Sequence, residues 1–290
     1  MSAARGPVRV AGEVLSVKRV GAHHHLTLVA PGVAERFRPG GFVALGVGGP
    51  LSESLLRRTF SIYRARPTGA YGGTVEVVFP VTDPGTEWLA RAAAGTAVDV
   101  VGPLGRPYAL PKEPVACTLV GSGHGSAPLF GLAERLRERG CGVHMVLGAT
   151  TGAELFGALE AKRAAKTVVV TTEDGSVGIT GRPTDVLPDV LSRTATDVVY
   201  ASGPTPMLHA AALAAEAHGA WSQTAVEQEM ACGTGICLTC VLPVVGEDGV
   251  TRMVRACTEG PVFRGDRVRW GDIGSVPEDA WGAPRVGGPR

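Results

Sequence analysis

The stretch VEQEMACGTGICLTCVLPVVGEDGVTRMVRAC, residues 226–257, decides how the chain is read. It holds four of the six cysteines, Cys232, Cys237, Cys240 and Cys257, in the spacing C-x4-C-x2-C-x16-C. Thiolates gathered this closely repel one another and oxidise readily unless a metal holds them. A C-x4-C-x2-C run with a distant fourth cysteine is the plant-type pattern for a [2Fe–2S] cluster. Gly233 and Gly235 lie between the first ligands, where a glycine lets the loop take positive φ and turn backbone N–H groups toward negative sulfur. Zinc is the main competitor, but structural zinc sites pair cysteines in knuckles, often with histidine, and residues 226–257 contain no histidine. Unligated thiols are a third reading. A disulfide framework fits least, because large chains of cytosolic character do not need such staples.

Bulk composition narrows the remaining classes. A chain of 290 residues buries ordinary cores and divides into two or three domains. Its 28 basic and 27 acidic residues leave a formal charge of +1, so nothing asks for nucleic acid or an anionic membrane surface. The N-terminus has no apolar signal segment, and no stretch approaches roughly 18 uninterrupted apolar residues. A cytoplasmic location is expected. Cys117 and Cys141 lie in apolar surroundings and are expected in the core.

Residues 1–112 consist of short alternating runs, VRVAGEVLSV, HLTLVA, FVALGV, TFSIYRA, TVEVVFPV and AVDVVGPL, separated by Gly/Pro turns. Evenly spaced short strands of this kind predict an antiparallel β-barrel. One helix, GTEWLARAAAG, interrupts them, with Trp88, Leu89 and Ala92 on one face. His23, His24 and His25 resemble a metal cluster, but consecutive strand residues face opposite ways and cannot converge on one ion. The informative segment is Arg58-Thr59-Phe60-Ser61. Arginine pairs bidentately with a pyrophosphate, a nearby hydroxyl can bond a flavin ring, and alternation sets Phe60 opposite in facing to Thr59 and Ser61. Gly85 and Thr86 open the helix and read as a phosphate seat. Together they point to FAD, against the plainer reading of a solvated edge strand.

Residues 113–222 change rhythm. Apolar strands VACTLVGSG, GVHMVLGAT, TVVVTT and DVVYASG alternate with amphipathic helices, the first presenting Leu129, Leu132, Ala133 and Leu136 to the core. This is an α/β domain with a parallel sheet and helices on both faces. The loop holding Gly121, Gly123 and Gly125 follows the first strand, where open α/β sheets bind dinucleotides. Ser126 stands where the third glycine of G-x-G-x-x-G would be, and a tight turn alone would also explain the glycines. Gly203-Pro204 marks a second strand-to-helix turn, placed for backbone contact with a nicotinamide. His124 reads as an exposed loop residue rather than a nucleotide contact. Residues 223–270 form the cluster domain, and the Gly/Pro/Arg-rich segment 271–290 reads as a flexible tail.

In order and wording these pieces resemble the electron-transfer subunit of the NAD-dependent (class 1B), heterotetrameric dihydroorotate dehydrogenases, within the ferredoxin-reductase superfamily. The resemblance runs from about residue 8 to Trp270 through LLRRTFSIYR, PGTEWLARA, VDVVGPLGRPY, GSGHGSAPLFGLAERL, TTEDGSVGITGRPTDVL, ASGPTPML, MACGTGICLTC and ACTEGPVFRGDRVRW. It implies FAD on Arg58, Thr59, Phe60 and Ser61, with Gly85 and Thr86 at the pyrophosphate. It implies NAD(H) on the glycine loops and cluster ligation by the four cysteines. It also implies a partner, the FMN-containing dihydroorotate dehydrogenase catalytic subunit of pyrimidine biosynthesis. The chain departs from the family texture at Ser122 and His124, and it carries TGAELF where many relatives have an arginine, which favours NADH over NADPH. No protein acid–base residue is called for, because the cofactors carry the chemistry. Two rivals stand beside this reading: a reductase component serving an oxygenase or another redox enzyme, and a redox-sensing or zinc-binding interaction module.

Overall fold

The structure is a computed structural model that describes residues 6–49 and 54–284. Its first body is a closed antiparallel barrel. The strands are β1 (Val8–Val20), β2 (His23–Val29), β3 (Phe42–Leu45), β4 (Arg58–Arg66) and β5 (Thr74–Phe79), then β6 (Ala97–Leu104) after helix α1 (Pro84–Ala90). They close in the order β1-β2-β5-β4-β3-β6. Alternation drives the closure: Leu26 and Leu28, Phe60 and Ile62, Val75 and Val77, and Val98 and Val100 all point into one core. Helix α1 plugs the barrel end with Leu89 and is shorter than the sequence predicts. Arg91 N–H reaches back to Glu87 O (3.1 Å) and Trp88 O (3.2 Å), so the chain leaves the helix before Ala92.

The second body alternates β7 (Ala116–Ser122), α2 (Pro128–Glu138), β8 (Gly142–Ala149), α3 (Ala158–Ala164) and β9 (Thr167–Thr172). It continues through β10 (Ile179–Thr180), α4 (Pro183–Thr194), β11 (Val198–Ser202), α5 (Thr205–His218) and β12 (Trp221–Ala225). The strands from β7 to β12 pair in parallel. Separate cores lie on the two faces. One gathers Leu129, Phe130, Leu132 and Leu136 of α2 with Leu119 and Met145, and the other gathers Leu187, Leu191, Leu208 and Ala211 with Val120, Val146 and Val199. Cys117 and Cys141 are both buried in the first.

The C-terminal segment forms a hairpin of β13 (Val241–Val245) and β14 (Thr251–Arg255), then β15 (Val262–Arg264). β15 returns to the large sheet and pairs antiparallel with β12, giving the order β10-β9-β8-β7-β11-β12-β15. The sheet therefore crosses residue 222 and takes its last strand from the cluster segment. Residues beyond Trp270 also find partners. Arg269 Nη1 donates to Asp279 at 2.5 Å, Trp281 N–H donates to Thr251 O at 2.8 Å, and Ala280 is buried. Residues 285–290 of the expected tail lie outside the described residues.

Leu132 sits fully buried on α2, while Leu213 on α5 is exposed. Leu132→Ala should lower the unfolding free energy by about 2–5 kcal/mol in a urea titration. Leu213→Ala should change it by less than about 0.5 kcal/mol. Equal effects would contradict this packing.

Candidate functional site

The cysteine loop hangs between β12 and β13. Its entry is fixed by Val226 N–H donating to Pro261 O at 2.8 Å. Gly233 (φ 68°) and Gly235 (φ 86°) take the left-handed conformation that only glycine adopts at no steric cost. The backbone they shape points N–H groups at sulfur: Thr234 N–H lies 3.4 Å and Cys237 N–H 3.5 Å from Cys232 Sγ. Thr239 Oγ1 donates to Cys237 Sγ at 3.3 Å. The hairpin brings the fourth thiol home, because Val241 pairs with Arg255 and Ala256 N–H donates to Cys240 O at 2.9 Å.

The four thiols interact with one another. Cys232 interacts with Cys237, and Cys257 interacts with Cys240 and also with Cys232. Among the described residues no three His, Cys, Asp or Glu side chains gather as a single-ion site. A cluster of two bridged irons takes two thiolates on each iron, and the plant-type spacing of these four cysteines supplies four. Burial raises the Cys232 thiol, but the N–H groups of Cys237 and Thr234 outweigh it and pull the pKa down to about 6. Cys257 is pushed up to about 12 by burial and by neighbouring Cys240. Cys237 is exposed at the loop tip between Ile236 and Leu238, which also face solvent, while Cys240 and Cys257 are buried.

The cluster loop touches β4. A Cβ on Gly233 would lie 3.3 Å from the Thr59 methyl and 3.4 Å from the Phe42 ring. Thr59 and Ser61 face outward from the barrel. Phe60 points the other way, packing 5.2 Å from the Phe79 ring in the barrel core with 8% exposure. Of the four expected flavin residues, Thr59 and Ser61 present side chains outward, Phe60 packs behind them in the barrel core, and Arg58 at the strand's start turns to Asp83.

Arg58 Nε lies 3.2 Å from both carboxylate oxygens of Asp83. Asp83 is a residue the sequence reading passed over. It caps α1, accepting from Gly85 N–H (2.6 Å) and Thr86 N–H (3.1 Å), while Thr86 Oγ1 accepts from Asp83 N–H (3.0 Å). Burial raises its pKa, but those two N–H groups and Arg58 hold it below the usual carboxylate value. The expected phosphate groups are thus gathered in one place, and a carboxylate already sits among them. An Asp just before Pro-Gly-Thr is an N-cap signature, so the signal was present in the sequence.

At the C-terminal edge of the large sheet, the two glycine loops meet. A Cβ on Gly125 would lie 2.8 Å from Gly203 Cα, and one on Gly121 would lie 2.5 Å from Ser126 Cβ. Gly123 has φ 53°, and Pro204 caps α5. His124 is not the free loop residue expected from sequence. Its ring lies 5.6 Å from that of buried His23, and burial, followed by the His23 charge, pushes its pKa down to about 4. His23 Nε2 bonds Glu154 O at 2.8 Å, His24 stacks on Phe79 and His25 bonds Glu76, so the three adjacent histidines diverge.

A six-stranded barrel, a parallel nucleotide-type sheet and a C-terminal thiol domain together define a ferredoxin-reductase-type protein with an appended iron–sulfur domain. The NADH-dependent reduced ferredoxin–NADP oxidoreductase solved in work on flavin-based electron bifurcation superposes with TM-score 0.78 and 30% identity, covering 91% of each chain. A ferredoxin NADP+ reductase from Neisseria gonorrhoeae, solved with FAD and NADP bound, shares the fold at TM-score 0.58 and 16% identity, covering 73% of this chain and 92% of its own. Residues 227–269 match the iron–sulfur cluster binding domain of dihydroorotate dehydrogenase B. The electron transfer subunit of dihydroorotate dehydrogenase B (NAD(+)) from Geobacillus thermodenitrificans is 36% identical over 84% of this chain and 92% of its own length. Its counterpart from Fusobacterium nucleatum is 36% identical over 80% and 86%. The chain belongs to the family of dihydroorotate dehydrogenase B electron transfer subunits. Among the described residues no helix is long and apolar enough to cross a membrane.

In metal-free protein, alkylation of Cys232 should rise through a midpoint near about pH 6 as its thiolate forms. Cys257 should stay unreacted over the same range, and mass spectrometry of the labelled peptides would show it. Parallel titration of both would contradict the asymmetry of the loop.

Proposed function

We propose that this chain carries electrons between nicotinamide dinucleotide and a partner redox subunit, using FAD on the barrel and a [2Fe–2S] cluster on Cys232, Cys237, Cys240 and Cys257. When bound, the two groups supply exchange of an electron pair with nicotinamide and single-electron passage onward. The chain's own residues set the geometry. Arg58 binds the flavin pyrophosphate beside Gly85 and Thr86, and the outward hydroxyls of Thr59 and Ser61 face the ring system. Gly121, Gly123 and Gly125 leave room for the dinucleotide, and Gly203 with Pro204 faces the nicotinamide. Thr151-Gly152-Ala153-Glu154 offers no cation to a 2′-phosphate, which supports NADH as the dinucleotide.

The observation that carries the reading is the close approach of the Gly233 backbone to Thr59, where an added Cβ would lie 3.3 Å from the Thr59 methyl, which sets the cluster loop against the strand we assign to the flavin. The exposed Cys237 then marks the exit toward the partner. The family's name supports a dihydroorotate dehydrogenase catalytic subunit as that partner, and an FMN-containing one is the partner we propose. Cys117 and Cys141, buried and without a disulfide, support action in the reducing cytoplasm.

Replacing Cys237 with Ser tests the relay. NADH should still bleach the flavin at the wild-type rate, while electron delivery to the catalytic subunit should fall to background. Undiminished delivery in that variant would remove the cluster from the path.

A further inference from the structure

A cavity of about 740 Å³ opens where the barrel, the linker to the second body and the end of α2 meet. Phe37 and Arg38 line it from the segment ahead of β3, and Tyr108 and Ala109 line it from the linker. Arg135, Glu138 and Arg139 close it from α2. None of these residues belongs to the flavin, nucleotide or cluster sets. Helix α2 leaves the glycine loop at Pro128, and its 11 residues rise roughly 16 Å before the chain reaches Arg139.

The walls are joined to one another by hydrogen bonds. Tyr108 N–H donates to Pro39 O at 2.9 Å, which ties the linker to the barrel segment. Arg139 Nη1 donates to Pro111 O at 2.8 Å, which ties α2 to the linker. Ala109 O accepts from the Tyr200 hydroxyl and from Gln223 Nε2, each at 2.9 Å. The Tyr108 ring stands edge-on, 5.5 Å from the Tyr200 ring. A ligand entering a cavity fixed in this way has little of it to order.

The charge is one-sided. Three guanidinia face one carboxylate, a surplus of two positive charges. Arg135 Nη1 pairs with Glu138 at 2.9 Å, so that carboxylate is already answered. Among the described residues the Arg38 guanidinium has no hydrogen-bond or ion-pair partner. Arg139 has one donor on Pro111 O and the rest of its fork to offer. The C-terminal end of α2 adds about half a negative charge, too little to cancel the surplus. Guanidinia suit phosphate geometry, and a phosphomonoester carries about −1.5 to −2 charge at pH 7. The cavity is larger than a phosphate alone needs and lies within the range of about 300–1,000 Å³ usual for small-molecule sites. Half-buried Phe37 offers an aromatic wall to the rest of such a ligand.

We propose that this cavity binds a phosphomonoester with a flat ring, of nucleoside monophosphate size, and that the ligand ties the barrel to the α/β body. The phosphate sits against Arg38 and Arg139, and the ring lies along Phe37. This site stands apart from the flavin reading above.

Calorimetric titration of the full-length holoprotein with uridine 5′-monophosphate tests it, with uridine and inorganic phosphate as separate arms. This probe is chosen because its base is not the adenine of NAD or FAD. It should bind equally well with and without saturating NAD+, and it should raise the thermal midpoint. Uridine should give no measurable binding, and inorganic phosphate should bind more weakly than the nucleotide. Arg38→Ala breaks no contact within the unliganded protein and should weaken the nucleotide roughly tenfold to hundredfold, the scale of a lost charge-assisted hydrogen bond. Ala109→Trp fills the cavity from an exposed position with every charge kept, and it should abolish binding. A wild-type chain that does not bind the nucleotide, binding that NAD+ displaces, or either variant binding at wild-type strength would overturn the proposal. Inorganic phosphate binding as tightly as the nucleotide would overturn the assignment of a flat-ringed ligand.

Discussion

The whole arrangement depends on one apolar seam between the barrel and the C-terminal segment. Strand β3 is buried on both faces, so it reads as a continuous apolar run. Val43 and Leu45 fill the barrel, while Phe42 and Ala44 turn outward against Val226, Leu242, Ala256 and Val268. Cys240 and Cys257 belong to the same seam. The burial that joins the two bodies therefore also places half of the thiol set, and the other half projects to solvent on the loop tip. The strap from Cys257 to Arg264 ties three regions together. Arg106 N–H donates to Gly260 O on the barrel side, Val226 N–H donates to Pro261 O, and β15 closes the edge of the large sheet. Small residues make this possible: a side chain on Gly233 would press on Thr59, and one on Gly105 would meet Pro261 at 2.6 Å.

The flavin seat we propose at Arg58 carries a second constraint, an electrostatic one. Arg58, Gly85 N–H and Thr86 N–H all point at the Asp83 carboxylate. Such a cluster is a site shaped for negative charge, with an aspartate holding its donors in position. In the flavin site we propose, a pyrophosphate would share those donors with Asp83. Its affinity there would then depend on how readily Arg58 turns from one anion to the other, at an ion pair about a third exposed on each side.

Much of this was legible in the sequence. The cysteine spacing named the cluster domain, and the 3.6-residue period of Leu129, Leu132, Ala133 and Leu136 placed α2 correctly against the sheet. What escaped reading has physical reasons. β12 hides because its inward residues are Ser222 and Thr224, polar side chains buried where strand patterns lead one to look for Val or Ile. Ser222 is small enough for Gly265 to pass close by, and Thr224 Oγ1 donates to Phe263 O at 3.5 Å, so both are needed to receive β15. β10 and β15 are only two and three residues long and carry no period of their own. Phe60 could be assigned a facing by alternation, but not its burial beside Phe79, which depends on a neighbour distant in sequence. His124 met His23 across the two bodies, a contact no local pattern encodes.

The measurement closest to the central claim is an anaerobic visible-spectrum titration of the purified chain with NADH, with iron and acid-labile sulfide counted on the same sample. The account predicts two iron and two sulfide per chain. It also predicts flavin and iron–sulfur absorption that both bleach as NADH is added, with NADPH less effective. A colourless protein holding zinc would contradict it, as would a flavin that bleaches while the iron–sulfur absorption remains unchanged.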